Sequence, residues 1–235
     1  MSYILTVFWP YFSLSVSWWW WADVHIEQRE SIYALPVVTV HGEPSVKYRG
    51  LFINDEAPAL TSWIVENTKS QKYDSEFYKK VFELLLRNKA NYLWPAMWPS
   101  YPSPGNSFFV DDPLNQKTAA DYGVVVSTSH HEPMQRATNE WLTSGNGTWD
   151  WVKNEKNVTD FFREGALRAQ PYASESYFTI GMRGAGDSGL TGDNPAAILT
   201  DVIATQREIF EEVYGDASEV NQVSIVFQRI DPFIR

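Results

Sequence analysis

The sequence of 235 residues contains no cysteine, which excludes disulfide staples, a thiolate nucleophile and any zinc site built on sulfur. Positive charge is also scarce: 19 Lys and Arg stand against 29 Asp and Glu, a formal net charge of −10. Neutralising phosphates needs clustered cations, so a general nucleic-acid partner is excluded. A small anionic ligand is not, because salt screens charge over roughly 8 to 10 Å and a pocket answers to its local groups. Long hydrophobic runs are missing too. The apolar opening MSYILTVFWPYFSLSV is broken by Pro10 and by serines and has neither a basic start nor a small-residue cleavage site. Neither a membrane partner nor a signal peptide is expected from it, and the compartment stays open.

What is present is enough apolar residue, 44%, to fill a sizeable core. Four short apolar runs stand out: GLFI (50–53), NYLW (91–94), GVVV (123–126) and YFTI (177–180). None alternates between apolar and polar, so each predicts a strand covered on both faces, as in a parallel sheet. Helical patterns follow them. In DSEFYKKVFELLLRNKAN, Asp74 or Ser75 can cap and Phe77, Val81, Leu84 and Leu85 recur at helical spacing. EPMQRATNEWLTS and NVTDFFREGALRAQ read as further helices. After the fourth run, Asp193 or Asn194 caps a helix opened by Pro195 and stopped by Gly215.

The order β-α-β-α-β-α-β-α with right-handed crossovers leaves an open doubly wound sheet or part of a (β/α)8 barrel. A dinucleotide fold needs G-x-G-x-x-G after its first strand, where this chain has NDEAPAL, so the barrel is expected. In a barrel, the loops after the strands form the active face, which makes the proline-rich loop at 95–106, with Trp98 and Tyr101, a candidate substrate wall. The WWWW run at 18–21 alternates faces if extended and is expected in the core.

The strand ends carry the chemistry. They supply Asp55 and Glu56 after the first run, Trp94 at the second, His130, His131 and Glu132 after the third, and Arg183 and Asp187 after the fourth. Taken singly, each has an ordinary explanation: Asp55, Glu56 or Glu132 as a helix cap, the histidines as a structural pair, Asp187 as a turn former. Four parallel strands ending in such groups at one rim predict a polar site on an apolar scaffold. Adjacent histidines on an extended segment point to opposite faces, and H-E-x-x-H spacing is absent, so no metal is expected.

These segments, SWWWWADV, GEPSVKYRGLFINDEAPAL, VFELLLRNKANYLWPAMW, YGVVVSTSHHEPMQRATNEW and FTIGMRGAGD, together resemble glycoside hydrolase family 115, the xylan α-1,2-glucuronidases. The resemblance runs from about Trp18 to about Gly215. It implies a (β/α)8 barrel that removes glucuronic acid or its 4-O-methyl form from xylan side chains with inversion and without a cofactor. The implied partners are glucuronoxylan or aldouronic oligosaccharides, with homodimers and secretion in full-length relatives. Inversion takes two carboxyl groups about 6.5 to 9.5 Å apart, one acid and one base. The resemblance offers Asp55 and Asp187, with neither role assigned, and places His130 or His131 and Arg183 beside the substrate. Glu56, Trp94, Trp98 and Glu132 complete the expected contacts.

Family members are several times longer. The chain therefore reads as a partial TIM-type barrel of about four β/α units, with an extension at 1–49, the barrel region at 50–215 and a divergent tail at 216–235. A carbohydrate-binding remnant without turnover, or an inactive truncated product, is the alternative expectation.

Overall fold

The computed structural model describes residues 42–54, 59–68, 72–97 and 106–224, with isolated positions at 30, 31, 33, 36, 38, 40 and 70. The WWWW run, the apolar opening, Asp55, Glu56 and Trp98 lie outside the described residues.

The chain runs β1 (Gly50–Phe52), α1 (Ala59–Asn67), α2 (Ser75–Arg87), β2 (Tyr92–Trp94), α3 (Phe108–Asp111), α4 (Asn115–Tyr122) and β3 (Val125–Val126). It continues through α5 (Thr138–Ser144), α6 (Trp151–Ala169), β4 (Phe178–Ile180), α7 (Pro195–Tyr214) and β5 (Gln222–Ser224). β1, β2 and β3 pair in that order, β4 pairs with β5, and all pairs are parallel. A parallel bridge between Val126 and Ser176, with the Tyr177 amide donating to the Val126 carbonyl at 2.9 Å, links the two groups. Among the described residues, neighbours in space follow neighbours in sequence, with no reversal of the kind that defines a doubly wound sheet. The fold is therefore a partial (β/α)8-type barrel with parallel strands, and β5 adds a strand inside the segment that the sequence had set apart as a tail.

Local chemistry accounts for the elements. Asp74 caps α2 by accepting the Phe77 amide at 3.0 Å, and Asn194 caps α7 by accepting the Ala197 amide at 3.1 Å. Pro195 opens α7, and Gly215, at φ 86°, ends it in the left-handed conformation that glycine adopts most easily. One apolar cluster places Phe77, Phe82 and Leu85 of α2 against Leu93 and Val126. A second gathers Phe162, Phe178, Val202, Ile209 and Phe210.

Two expectations are corrected. β3 and β4 are buried, but Leu51 and Phe52 of β1 are 39% and 38% exposed, because among the described residues β1 has a strand partner on one side only. The helix read from Glu132 onward begins instead at Thr138. Before it, Pro133–Gln135 forms a short 3-10 turn in which Met134 and Gln135 have φ of 60° and 55°. Buried hydrogen bonds hold that turn: Gln135 donates to the Val126 carbonyl at 3.2 Å and accepts from Gln116 at 3.2 Å. α6 also passes so close that a Cβ at Gly165 would lie 2.2 Å from the Met134 carbonyl oxygen.

Candidate active site

The ends of β3 and β4 are locked together before they diverge into the site. Thr179 on β4 donates its hydroxyl to the Thr128 carbonyl, and its oxygen lies 3.5 Å from the Ser127 hydroxyl. From α7, the buried Gln206 side chain accepts from the Gly181 amide at 2.6 Å and donates to the Gly181 carbonyl at 2.8 Å, fixing the exit of β4. Gln206 is a supporting residue that the sequence reading missed.

Beyond Gly181 the chain folds back on itself. Arg183 pairs with Asp187 through Nε and Oδ1 at 2.8 Å and donates to the Asp187 carbonyl at 2.7 Å. Gly186 and Asp187 have φ of 60° and 65°. For Asp187 this left-handed backbone is uncommon, and such strain gathers at functional sites. The indole of Trp149 donates to the Arg183 carbonyl at 2.8 Å and steadies the loop from the side.

The histidines meet the same carboxylate. Nε2 of His130 lies 3.3 Å from Oδ1 of Asp187, and Nε2 of His131 lies 3.6 Å from Oδ2. Their ring centroids are 4.3 Å apart. The expectation that adjacent histidines face opposite ways is thus corrected: residues 129–132 form a turn, closed by the Glu132 amide donating to the Ser129 carbonyl at 3.1 Å. The donor atoms of His130, His131 and Asp187, all within 4.8 Å of one another, are close enough to share an ion. The Arg183 guanidinium already takes one oxygen of that carboxylate, which disfavours a further cation there.

Burial pushes the His131 pKa down, helped by the neighbouring His130 imidazole and opposed by Asp187. A neutral ring at neutral pH can donate or accept a hydrogen bond from a hydroxyl. Burial likewise pushes Glu132 up to about 8, against hydrogen bonds from Ser129 and Thr138 and with the Asp187 charge adding to the rise. Glu132 is 2% exposed. Its carboxyl is turned inward to Ser129 and Thr138.

Beside the cluster lies a hollow of about 550 Å³. Its polar wall includes His131, Arg136, Thr138, Arg183 and Asp187, and its apolar wall includes Trp141, Leu142, Trp149 and Phe161. Trp141, Trp149 and Phe161 meet edge to face, with centroids 5.1 to 5.9 Å apart. These aromatics were also missed, and only their bulk within a short polar stretch could have marked them. Trp94, expected at the rim, stands at the end of β2 edge-on to Phe52, its indole donating to the Tyr92 hydroxyl at 3.2 Å. Of the expected site residues that are described, His130, His131, Arg183 and Asp187 come together.

Parallel β/α units thus bring a carboxylate, two imidazoles and a guanidinium together at their strand ends beside an aromatic hollow, the side on which (β/α) barrels build their sites. Residues 41–235 match the model of glycosyl hydrolase family 115, and the chain belongs to that family. It is similar to the solved structure of BtGH115A, a family GH115 4-O-methyl-α-glucuronidase with specificity for decorated arabinogalactans. The two are 34% identical with a TM-score of 0.74, over 88% of this chain and 28% of the other. The chain thus spans less than a third of that relative's length. No curated protein matches it.

Proposed function

We propose that this chain forms part of the catalytic barrel of a glycoside hydrolase that removes glucuronic acid or 4-O-methylglucuronic acid from polysaccharide side chains, with xylan α-1,2 linkages as the target. The observation that carries the reading is the convergence of Arg183, His130 and His131 on Asp187 at the mouth of an aromatic-walled hollow. Arg183 supplies positive charge in a planar fork suited to a sugar carboxylate. His131, kept neutral by burial, serves a sugar hydroxyl. The tryptophans offer apolar surface to a pyranose ring. In an inverting pair one carboxyl group protonates the leaving oxygen and the other takes a proton from the attacking water. Asp187 is one member of that pair, and Asp55, outside the described residues, is the other.

A second reading is a carbohydrate-binding unit without turnover, in which Arg183 and the aromatic wall of the hollow hold a sugar. Incubation with aldouronic oligosaccharides, glucuronoxylan and glucuronidated arabinogalactan, followed by measurement of released uronic acid, separates the two. Release that disappears in Asp187→Asn supports the hydrolase. Full turnover in that variant refutes the role given to Asp187, and saturable binding without release supports the binding unit. Release from arabinogalactan alone would overturn the xylan assignment.

A further inference from the structure

Glu132 is buried, and every polar atom it owns is engaged. Its amide donates to the Ser129 carbonyl, its carbonyl accepts from the Thr128 hydroxyl, and its carboxyl oxygens accept from the Ser129 and Thr138 hydroxyls. These bonds run in two directions. Ser129 opens the turn whose two central residues are His130 and His131, and the Ser129 oxygen also accepts the His131 amide at 3.4 Å. Thr138 is the first residue of α5, the helix that carries Trp141 and Leu142 into the hollow's wall. A side chain of this length, with two acceptors splayed apart, can join both.

We propose that Glu132 is a positioning residue whose buried carboxyl ties the histidine turn to the start of α5 and thereby aims both imidazoles at Asp187. Without the tie, nothing in the sequence His130–His131 makes two successive side chains share a face; the turn does, and Glu132 closes it by backbone and side chain together. Burial also keeps this carboxyl protonated near neutrality, so it does not compete with Asp187 for the histidines or for Arg183. The proposal rests on the site reading above in taking the imidazoles to be substrate groups, but its test does not depend on turnover.

The test is the titration of His131 by NMR of the full chain, its ring signals assigned by loss in His131→Gln, together with the inter-ring contact to His130 at 4.3 Å between centroids. In the wild type the His131 midpoint lies below the ordinary imidazole value. Glu132→Ala raises it toward that value and abolishes the inter-ring contact, whereas Glu132→Gln, which keeps the shape and one acceptor oxygen and can donate its amide to the other hydroxyl, retains the low midpoint and the contact. A folded Glu132→Ala with an unchanged midpoint and contact overturns the proposal, and so does a folded Glu132→Gln that behaves like Glu132→Ala. Should Glu132→Ala not fold, Thr138→Val removes one arm of the tie: a partial rise supports the proposal and no change overturns it. Failure of the wild type to release uronic acid would sink the hydrolase reading and leave these titrations standing or falling by themselves.

Discussion

Replacing Glu132 with glutamine should remove one large pH-dependent part of the protein's stability. In the folded protein Glu132 keeps its proton until about pH 8, against an ordinary value of 4.5. Between those values folding takes up a proton, so stability is fully present below about pH 4.5 and falls as pH rises toward 8. At 1.36 kcal/mol per unit, the whole window amounts to about 5 kcal/mol, and the portion between pH 5 and pH 7.5 to about 3 kcal/mol. Glutamine has the same shape and nothing to ionise. The variant should match the wild type at pH 5 and exceed it at pH 7.5 by about 3 kcal/mol, or roughly 6 to 12 °C in melting temperature for a chain of this size. Asp111, which burial pushes up to about 6, tilts the curve in the same direction, and His131 tilts it the other way. Both act in wild type and variant alike and cancel in the difference. Urea unfolding of the two proteins at the two pH values measures it. A gap that does not change with pH, or one that widens toward acid, refutes the claim that Glu132 is folded as a buried neutral acid.

Two further substitutions probe the frame of the site. A Cβ added at Gly50 would lie 1.8 Å from the Tyr92 carbonyl oxygen, so Gly50→Ala must push β1 away from β2 and should lose about 1 to 3 kcal/mol in urea unfolding; no loss would mean that the register of this pair is wrong. Trp149→Phe keeps an aromatic wall but removes the indole bond to the Arg183 carbonyl. It should weaken binding of aldouronic oligosaccharides about fivefold by calorimetry, the equivalent of about 1 kcal/mol, and unchanged affinity would detach Trp149 from the orientation of Arg183.

The fold was most legible where elements are built from apolar spacing and caps. α2 and α7 follow their sequence patterns down to Asp74, Asn194 and Gly215, and the apolar runs contain β1 to β4. α4 escaped because its buried face is polar. Asn115, Gln116 and Thr118 are all buried, and Asn115 donates to the Tyr73 and Phe108 carbonyls at 2.9 and 2.8 Å. A helix that packs through hydrogen bonds shows no hydrophobic period to read. β5 escaped for a related reason, since Gln222–Ser224 contributes only Val223 as an apolar residue and its strand character comes from pairing with β4.

The site shows the same limit on a smaller scale. Residue types alone placed Arg183, Asp187 and the two histidines at one rim, because parallel strands deliver their ends to one side. Local conformation decided what those types could do. Taken as the extension of a strand, Ser129–Glu132 splits the imidazoles between opposite faces; taken as a turn, it presents them side by side, which is the form that meets Asp187. The distinguishing signal was available in the spacing Ser129-x-x-Glu132, a hydroxyl and a carboxyl three residues apart, the pairing that caps a helix when a helix follows. Here Pro133 and the left-handed Met134 and Gln135 delay the helix, and the pair closes the turn instead. A short-range staple of this kind outweighs strand alternation because it satisfies buried polar groups that an extended backbone would leave without partners, a penalty of about 1 to 3 kcal/mol for each.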